Sequence, residues 1–309
     1  MKNERGFALV IALMVTALLT ALLVEFVSEV YVDTSHSHNF VASQQAGILA
    51  ASGVPLAVKL LQFDLPTHNG YSSLLDLWAK PISYDAGAGT ITVTIEEESG
   101  KMNINTATSP NGMSNQYTQM AIRLFKKAGV SPDLTDAVMD WADENDTPSP
   151  NGAESSYYRT LKPAYGAKNA RLDTVEELAL LKGFTPEVLT KLRPLVTVYG
   201  ESMSGESTTR VNINTAPKEV LAALDENISD SLVENILDFR KKQAIKAENL
   251  SSIPGAEKLT PEARMNITYS GSVYRIHAEA KVGESVGVTE AVVRLRSGTQ
   301  PVFLYWREY

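Results

Sequence analysis

The sequence predicts an α+β protein: a long N-terminal helix, a small antiparallel sheet, and a large all-α insertion between strands of that sheet. Three observations carry this. Residues 7–24 are apolar except for Thr16 and Thr20, and helical patterning runs on through Tyr31, Phe40 and Ala46 to about Phe63. Alternating apolar and polar residues mark strands at 91–96 and 274–282, with a further alternating run at 291–295. Between the first two strands, residues 101–264 are mostly helical in pattern and studded with capping residues.

Eighteen helical residues at about 1.5 Å rise span roughly 27 Å, close to the thickness of a bilayer's hydrocarbon core. Glu25, Ser28, Glu29 and Asp33 follow the apolar run with no small-x-small site, so the segment reads as an anchor and not as a secretory signal cut behind the helix. Lys2 and Arg5 precede it and acidic residues follow, which by the positive-inside rule leaves the short N-terminus in the cytoplasm and exports the rest. Ile48, Leu49, Leu56, Leu60 and Leu61 supply an apolar stripe to the outer half of the helix, where Pro55 is expected to introduce a kink. Pro66, His68, Asn69 and Gly70 break the pattern. Ile91, Val93 and Ile95 then alternate with Thr92, Thr94 and Glu96, and Gly100 closes that strand. Near the other end, Gly283 to Gly287 turns the strand 274–282 back on the run at Ala291, Val293 and Leu295, as in a hairpin.

The helical middle contains an internal echo, Met102-Asn-Ile-Asn-Thr-Ala107 and Val211-Asn-Ile-Asn-Thr-Ala216, each placed before a helix. Asn and Thr suit N-caps, and Pro217 suits a first helical turn. The second copy continues through residues 217–224 and 232–240 to Ile253-Pro-Gly255, a pattern like a helix-hairpin-helix or sterile-alpha-motif (SAM-like) unit; residues 178–195, turning at Lys182-Gly183-Phe184, read as another hairpin. The expected division is therefore 1–6 leader, 7–99 helix and first strand, 100–205 first helical unit, 206–263 second helical unit, and 264–309 returning strands. Helix-hairpin-helix units often bind DNA through backbone N–H groups. Here the net charge of −8, together with Asp225, Glu226, Asp230, Glu234 and Asp238 in the second unit, argues against any nucleic acid partner. The absence of cysteine excludes disulfides, thiolate metal sites and a Cys nucleophile.

Asp140, Asp143, Glu144 and Asp146 crowd four carboxylates into seven residues and call for solvation or a cation. Asp143, Asn145, Thr147, Ser149, Asn151 and Glu154 follow the 1-3-5-7-9-12 spacing of a calcium loop. Pro148 replaces the glycine required at the sixth position, so the expected site is a different oxygen cage, with Asp146 available in place of Thr147 or Ser149. Gly283-Glu-Ser285-Val-Gly287 matches the G-x-S-x-G of a hydrolase nucleophile elbow, but a strand rather than a helix is expected after it. His36, His38, His68 and His277 are scattered without metal-ligand spacing, and no P-loop or dinucleotide glycine loop is present.

The leader Met1-Lys-Asn-Glu-Arg-Gly6 followed by Phe7-Ala-Leu-Val resembles the processing site of prepilins. That resemblance implies cutting by prepilin peptidase between Gly6 and Phe7, N-methylation of Phe7, and a pilin-like fold of long helix plus small sheet. Pilin-like chains usually carry Glu at the fifth mature position, where this one has Ile11. A carboxylate inside the bilayer costs several kcal/mol unless paired, and a subunit with none above it needs no such partner. Ile11, the Asn-Ile-Asn-Thr-Ala elements, the Asp-Trp-x-Asp loop ending in Gly152-Ala-Glu154, and the terminal strands together resemble the K-subunit family of type II secretion systems, which are minor pseudopilins. The resemblance implies a non-enzymatic subunit at the pseudopilus tip, joined to minor pseudopilins I and J, other pseudopilins and inner-membrane secretion components. It also implies a single inner-membrane helix, a periplasmic bulk, and calcium held by residues among Asp143, Asn145, Asp146, Thr147 and Glu154. The alternatives are a minor pilin of a type IV pilus and, more remotely, a membrane-anchored serine hydrolase using Ser285.

Overall fold

The computed structural model describes residues 4–68, 70–203, 206–208, 210–296 and 299–309; Met1 to Asn3 of the expected leader and Asn69 of the expected break lie outside them. Helix α1 (Glu4–Asp64) is a single helix of 61 residues that includes Pro55. Its first part exposes Phe7, Ile11, Leu13, Met14 and Leu23 on all sides, and among the described residues it is the one helix long and apolar enough to cross a membrane. From Ala42 onward one face is buried.

Strands β1 (Ile82–Asp85) and β2 (Thr90–Glu97) follow. The insertion then begins with β3 (Met102–Asn103), α2 (Gln116–Lys127), α3 (Leu134–Ala142), α4 (Ser155–Tyr158), α5 (Pro186–Leu192) and β4 (Val196–Thr197). A short hairpin, β5 (Glu201–Met203) with β6 (Glu206–Thr208), leads to β7 (Val211–Asn212), α6 (Lys218–Ala223), α7 (Asp230–Arg240), α8 (Pro261–Met265) and β8 (Ile267–Thr268). Strands β9 (Val273–Val282), β10 (Ser285–Arg294) and β11 (Val302–Glu308) complete the chain.

The main sheet has the order β1-β2-β9-β10-β11 with every pair antiparallel. Strands β2 and β9 are neighbours, Ile91 opposite Ala280 and Ile95 opposite Ile276, so the helical region is an insertion between adjacent strands, as expected. The inward residues of β2 and β9, including Val93, Ile276 and Ala278, pack against Ala50, Val54, Ala57, Val58 and Leu61 of α1. The helix lies very close to the sheet. A Cβ on Gly287 would sit 2.5 Å from the Ala46 carbonyl carbon, and one on Gly53 would sit 2.9 Å from the Ala278 Cβ. The edge strands β1 and β11 were not foreseen.

The echo in the sequence is an echo in structure. Met102 and Asn103 pair in parallel with Val196 and Thr197, while Val211 and Asn212 pair in parallel with Ile267 and Thr268, so each helical unit opens and closes on a two-residue ladder. Asn103 and Asn212 do act as local caps, accepting from the backbone N–H of Asn105 and Asn214. The second asparagine of each copy does something that local capping rules do not foresee. Asn105 donates to the carbonyls of Leu172 and Val198 and accepts from Leu172 N, and Asn214 likewise binds Ile245 and Tyr269. Both are buried, so each amide satisfies backbone groups that would otherwise be orphaned in a core. The α-helices start later, α2 behind an Asn115–Thr118 capping box and α6 behind Pro217.

Two adjacent buried acids at the end of β2 bind the insertion to the sheet. Glu97 accepts from Asn212 Nδ2 (2.9 and 3.0 Å) and Ser72 Oγ (2.8 Å), reaching the second unit. Burial, with the charge of Asp76 adding to it, pushes its carboxyl up to about 8 against the opposing pull of those hydrogen bonds. Glu98 accepts from Thr197 of the first unit and from Arg275 Nε of β9. Burial alone would raise its carboxyl, but Lys101 and Arg275 hold it below the ordinary value.

Candidate cation site in the first helical unit

Helix α3 places Asp136 and Asp140 one turn apart on one face, and Asp143 caps its C-terminus. The loop that follows folds back over these acids. Asp140 accepts from Ser149 N (2.9 Å) and Ser149 Oγ (2.6 Å), and Asp136 accepts from Asn151 N (3.0 Å) and Nδ2 (3.1 Å). Gly152 is tucked against Asp140 so tightly that a Cβ there would lie 2.0 Å from Asp140 Oδ2. The chain thereby delivers Glu154, at the N-cap of α4, into the acidic cluster.

Asp140, Asp143 and Glu154 each offer an oxygen within 4.8 Å of the others, and all three are buried (0, 2 and 1% exposed). Both carboxylate oxygens of Glu154 are buried without a hydrogen-bond partner. Such a group is costly unless neutralised. Burial, then the charges of Asp140, Asp143 and Asp146, push the Glu154 carboxyl up to about 7. Asp140 and Asp143 are raised too, each chiefly by burial. The C-terminal end of α3, whose dipole disfavours carboxylates, points the same way. Hard oxygen donors of like charge gathered at this spacing, with those of Glu154 unsatisfied, fit a hard divalent cation.

Asn145 of the expected set donates to Asp143 Oδ1 (2.8 Å) and accepts from Thr147 N (2.8 Å), forming turns that shape the loop. Asp146 and Thr147 are exposed beside the cluster, and the charge of Asp146 acts on both Asp143 and Glu154. Asp140 enters the cluster from the helix, ahead of the spacing template that began at Asp143. Its signal was the i to i+3 step back along α3. Beneath the site, Trp141 meets Tyr158 edge-on at 5.2 Å and Tyr158 stacks on Tyr165 at 5.3 Å, giving the loop a rigid floor.

At the other noted motif, Ser285 opens β10 opposite Val282, directly after a two-residue turn. The segment is a hairpin, and no strand-to-helix elbow exists there. Gly6 and Phe7 lie within α1, with Phe7 exposed.

Two family models, both described as type II secretion system protein K, match residues 100–201 and 211–264, which together make up half of the chain. The type II secretion system protein K of Pseudomonas aeruginosa is 29% identical over 262 residues, covering 80% of this chain and 76% of that one. That of Aeromonas hydrophila is 24% identical over 319 residues, covering 94% and 93%. Among solved structures, the chain resembles one in the GspK-GspI-GspJ complex of the type 2 secretion system of enterotoxigenic Escherichia coli, with a TM-score of 0.72 at 18% identity over 90% of this chain and 99% of that one. An inserted helical pair of units on a long helix and five-stranded sheet, matched in both units and along nearly the whole length, places the chain in the type II secretion system protein K family.

Proposed function

We propose that this chain is the tip subunit of a type II secretion pseudopilus, a structural minor pseudopilin that assembles with the I and J pseudopilins and has no catalytic role. The observation that carries this is the position of the insertion between β2 and β9, which puts a broad two-unit head on a helix-and-sheet body. A head inserted at that point would cap the fibre against a further subunit. Ile11, apolar and exposed on α1, agrees: no carboxylate is present there to meet a neighbour's terminal ammonium. The exposed apolar start of α1 anchors the precursor in the inner membrane and packs among like helices in the fibre, with the remainder in the periplasm. Prepilin peptidase would cut between Gly6 and Phe7.

Asp140, Asp143 and Glu154 are the residues that would hold a calcium ion, with Asp146 at its rim and Asn145 and Thr147 shaping the loop. When bound, the ion supplies the positive charge that this buried cluster lacks and fixes the loop 143–154 on α3. The protein partners are tested by co-expressing the full chain with the I and J pseudopilins and purifying it in detergent. Recovery of a stoichiometric three-chain complex is expected. Recovery with type IV pilus components instead would make it a minor pilin.

A further inference from the structure

A second cluster lies far along the chain from the acidic loop, where α1 ends. Asp64 closes the helix and His68 follows in a short 3-10 turn; the chain then reverses and brings Asp76 back against both. His68 Nδ1 is 3.4 Å from Asp76 Oδ2, and His68 Nε2 is 3.8 Å from Asp64 Oδ1. One donor atom from each of the three residues falls within 4.8 Å of the other two. The scattered spacing of the histidines in the sequence gave no sign of this.

We propose that Asp64, His68 and Asp76 form a binding site for a divalent transition ion of the zinc type, joining the end of the assembly helix to the segment that leads into β1.

Hydrogen bonding does not account for the geometry. His68 Nδ1 is buried and has no hydrogen-bond partner although a carboxylate faces it. Its 3.4 Å separation from Asp76 matches the roughly 3.3–3.6 Å edge of a tetrahedron with nitrogen and oxygen ligands about 2.0–2.2 Å from zinc. The 3.8 Å contact to Asp64 runs from the opposite ring nitrogen, Nε2, so an ion seated on Nδ1 takes Asp64 as its third ligand through a turn of that carboxylate toward it, across a separation that stays within 4.8 Å.

Both carboxylates are fixed in place by further hydrogen bonds, as metal ligands are. Asp76 accepts on Oδ2 from Ser73 N (2.7 Å) and Trp78 Nε1 (3.2 Å) and on Oδ1 from Ser73 Oγ (2.7 Å), and Asp64 Oδ2 accepts from Trp78 N (3.4 Å), leaving its Oδ1 on the histidine side. Stacking on Tyr71, with ring centroids 5.3 Å apart, orients the imidazole.

The charge of the neighbourhood is also unbalanced. Asp64 and Asp76 are almost wholly buried, and Tyr274 is pushed well above its ordinary value by burial and by the charges of Glu97, Asp76 and Asp64. An imidazole with two carboxylates selects zinc-like ions over calcium or magnesium, which prefer oxygen alone. His68 keeps part of its surface in solvent, which leaves a path for the ion and for a water as fourth ligand.

The test is zinc titration of the full chain in detergent with calcium saturating, followed by calorimetry and thermal unfolding. One zinc equivalent is expected, with a rise in unfolding temperature. His68→Ala should lose that equivalent and the rise, while unfolding like wild type without zinc. Glu154→Gln should keep both, which separates this site from the acidic loop. X-ray absorption of the zinc-loaded protein should show one nitrogen donor among oxygens. Unchanged zinc binding in His68→Ala, absence of a zinc equivalent in the wild type, or an all-oxygen shell would overturn the proposal.

Discussion

Replacing Glu154 by Gln is expected to remove most of the calcium-dependent rise in unfolding temperature, and in chelator to leave the protein as stable as wild type or more so. The two halves follow from one fact. In the apo protein, Glu154 is a buried carboxylate with no hydrogen-bond partner, surrounded by charges of its own sign. A neutral amide relieves that repulsion but offers calcium no charge. A ligand at one hundred times its dissociation constant stabilises by about 2.7 kcal/mol, and most of that gain should vanish in the variant.

The pH dependence carries the same sign. With its folded pKa raised to about 7 from 4.5, Glu154 keeps its proton in the folded state while the unfolded chain has already lost it. In chelator, wild type should therefore lose stability as pH climbs from about 4.5 to about 7, through this group, and the Glu154→Gln substitution should flatten the slope. If the variant were less stable than wild type in chelator and equally responsive to calcium, Glu154 would be a structural acid and not a ligand.

The second large effect is expected at the crossing of helix and sheet. Gly287→Ala should destabilise the helix-and-sheet body by about 1–3 kcal/mol, the range for overpacked cores. The added Cβ would lie 2.5 Å from the Ala46 carbonyl carbon, 2.6 Å from Gly47 N and 2.7 Å from Ala46 O. These are backbone atoms of α1, so no rotamer change can make room. The facing residue gives the contrast. A Cβ on Gly47 meets nothing within 4 Å, and Ala in a helix interior is favoured over Gly by roughly 0.5–1 kcal/mol, so Gly47→Ala should be neutral or stabilising. Thermal unfolding of the two variants checks the pair. Equal behaviour would mean that α1 does not lie this close to β10.

What could be read in the sequence divides along the range of the interactions. Helix α1 was visible because its apolar run is a local pattern, although of the expected stripe only Leu61 is fully buried, Ile48 and Leu56 are exposed, and small residues such as Ala46, Ala50 and Ala57 face the sheet instead. Strands β2, β9 and β10 were visible because each buries alternate residues. Strand β1 is four residues with all side chains exposed, and β11 is an edge strand whose run Val302-Phe-Leu-Tyr-Trp lacks alternation. Neither carries a periodic signal. The Asn-Ile-Asn-Thr-Ala echo announced a repeat, but the role of Asn105 depends on carbonyls 67 and 93 residues away and could not be deduced from capping rules.

At the acidic loop, Asp143 and Glu154 came from spacing within the loop, whereas Asp140 is one helical step outside that template. The Asp64, His68 and Asp76 cluster depends on the chain reversing after Pro66, which residue spacing alone does not encode.

The most direct measurement for the whole account is the location of this chain in assembled pseudopili, by electron microscopy of fibres in which it carries an epitope tag. The proposed tip position, on an anchor helix with Ile11 in place of a carboxylate, predicts label at one end of each fibre, one copy per fibre. Label distributed along the shaft, or found at both ends, would contradict it.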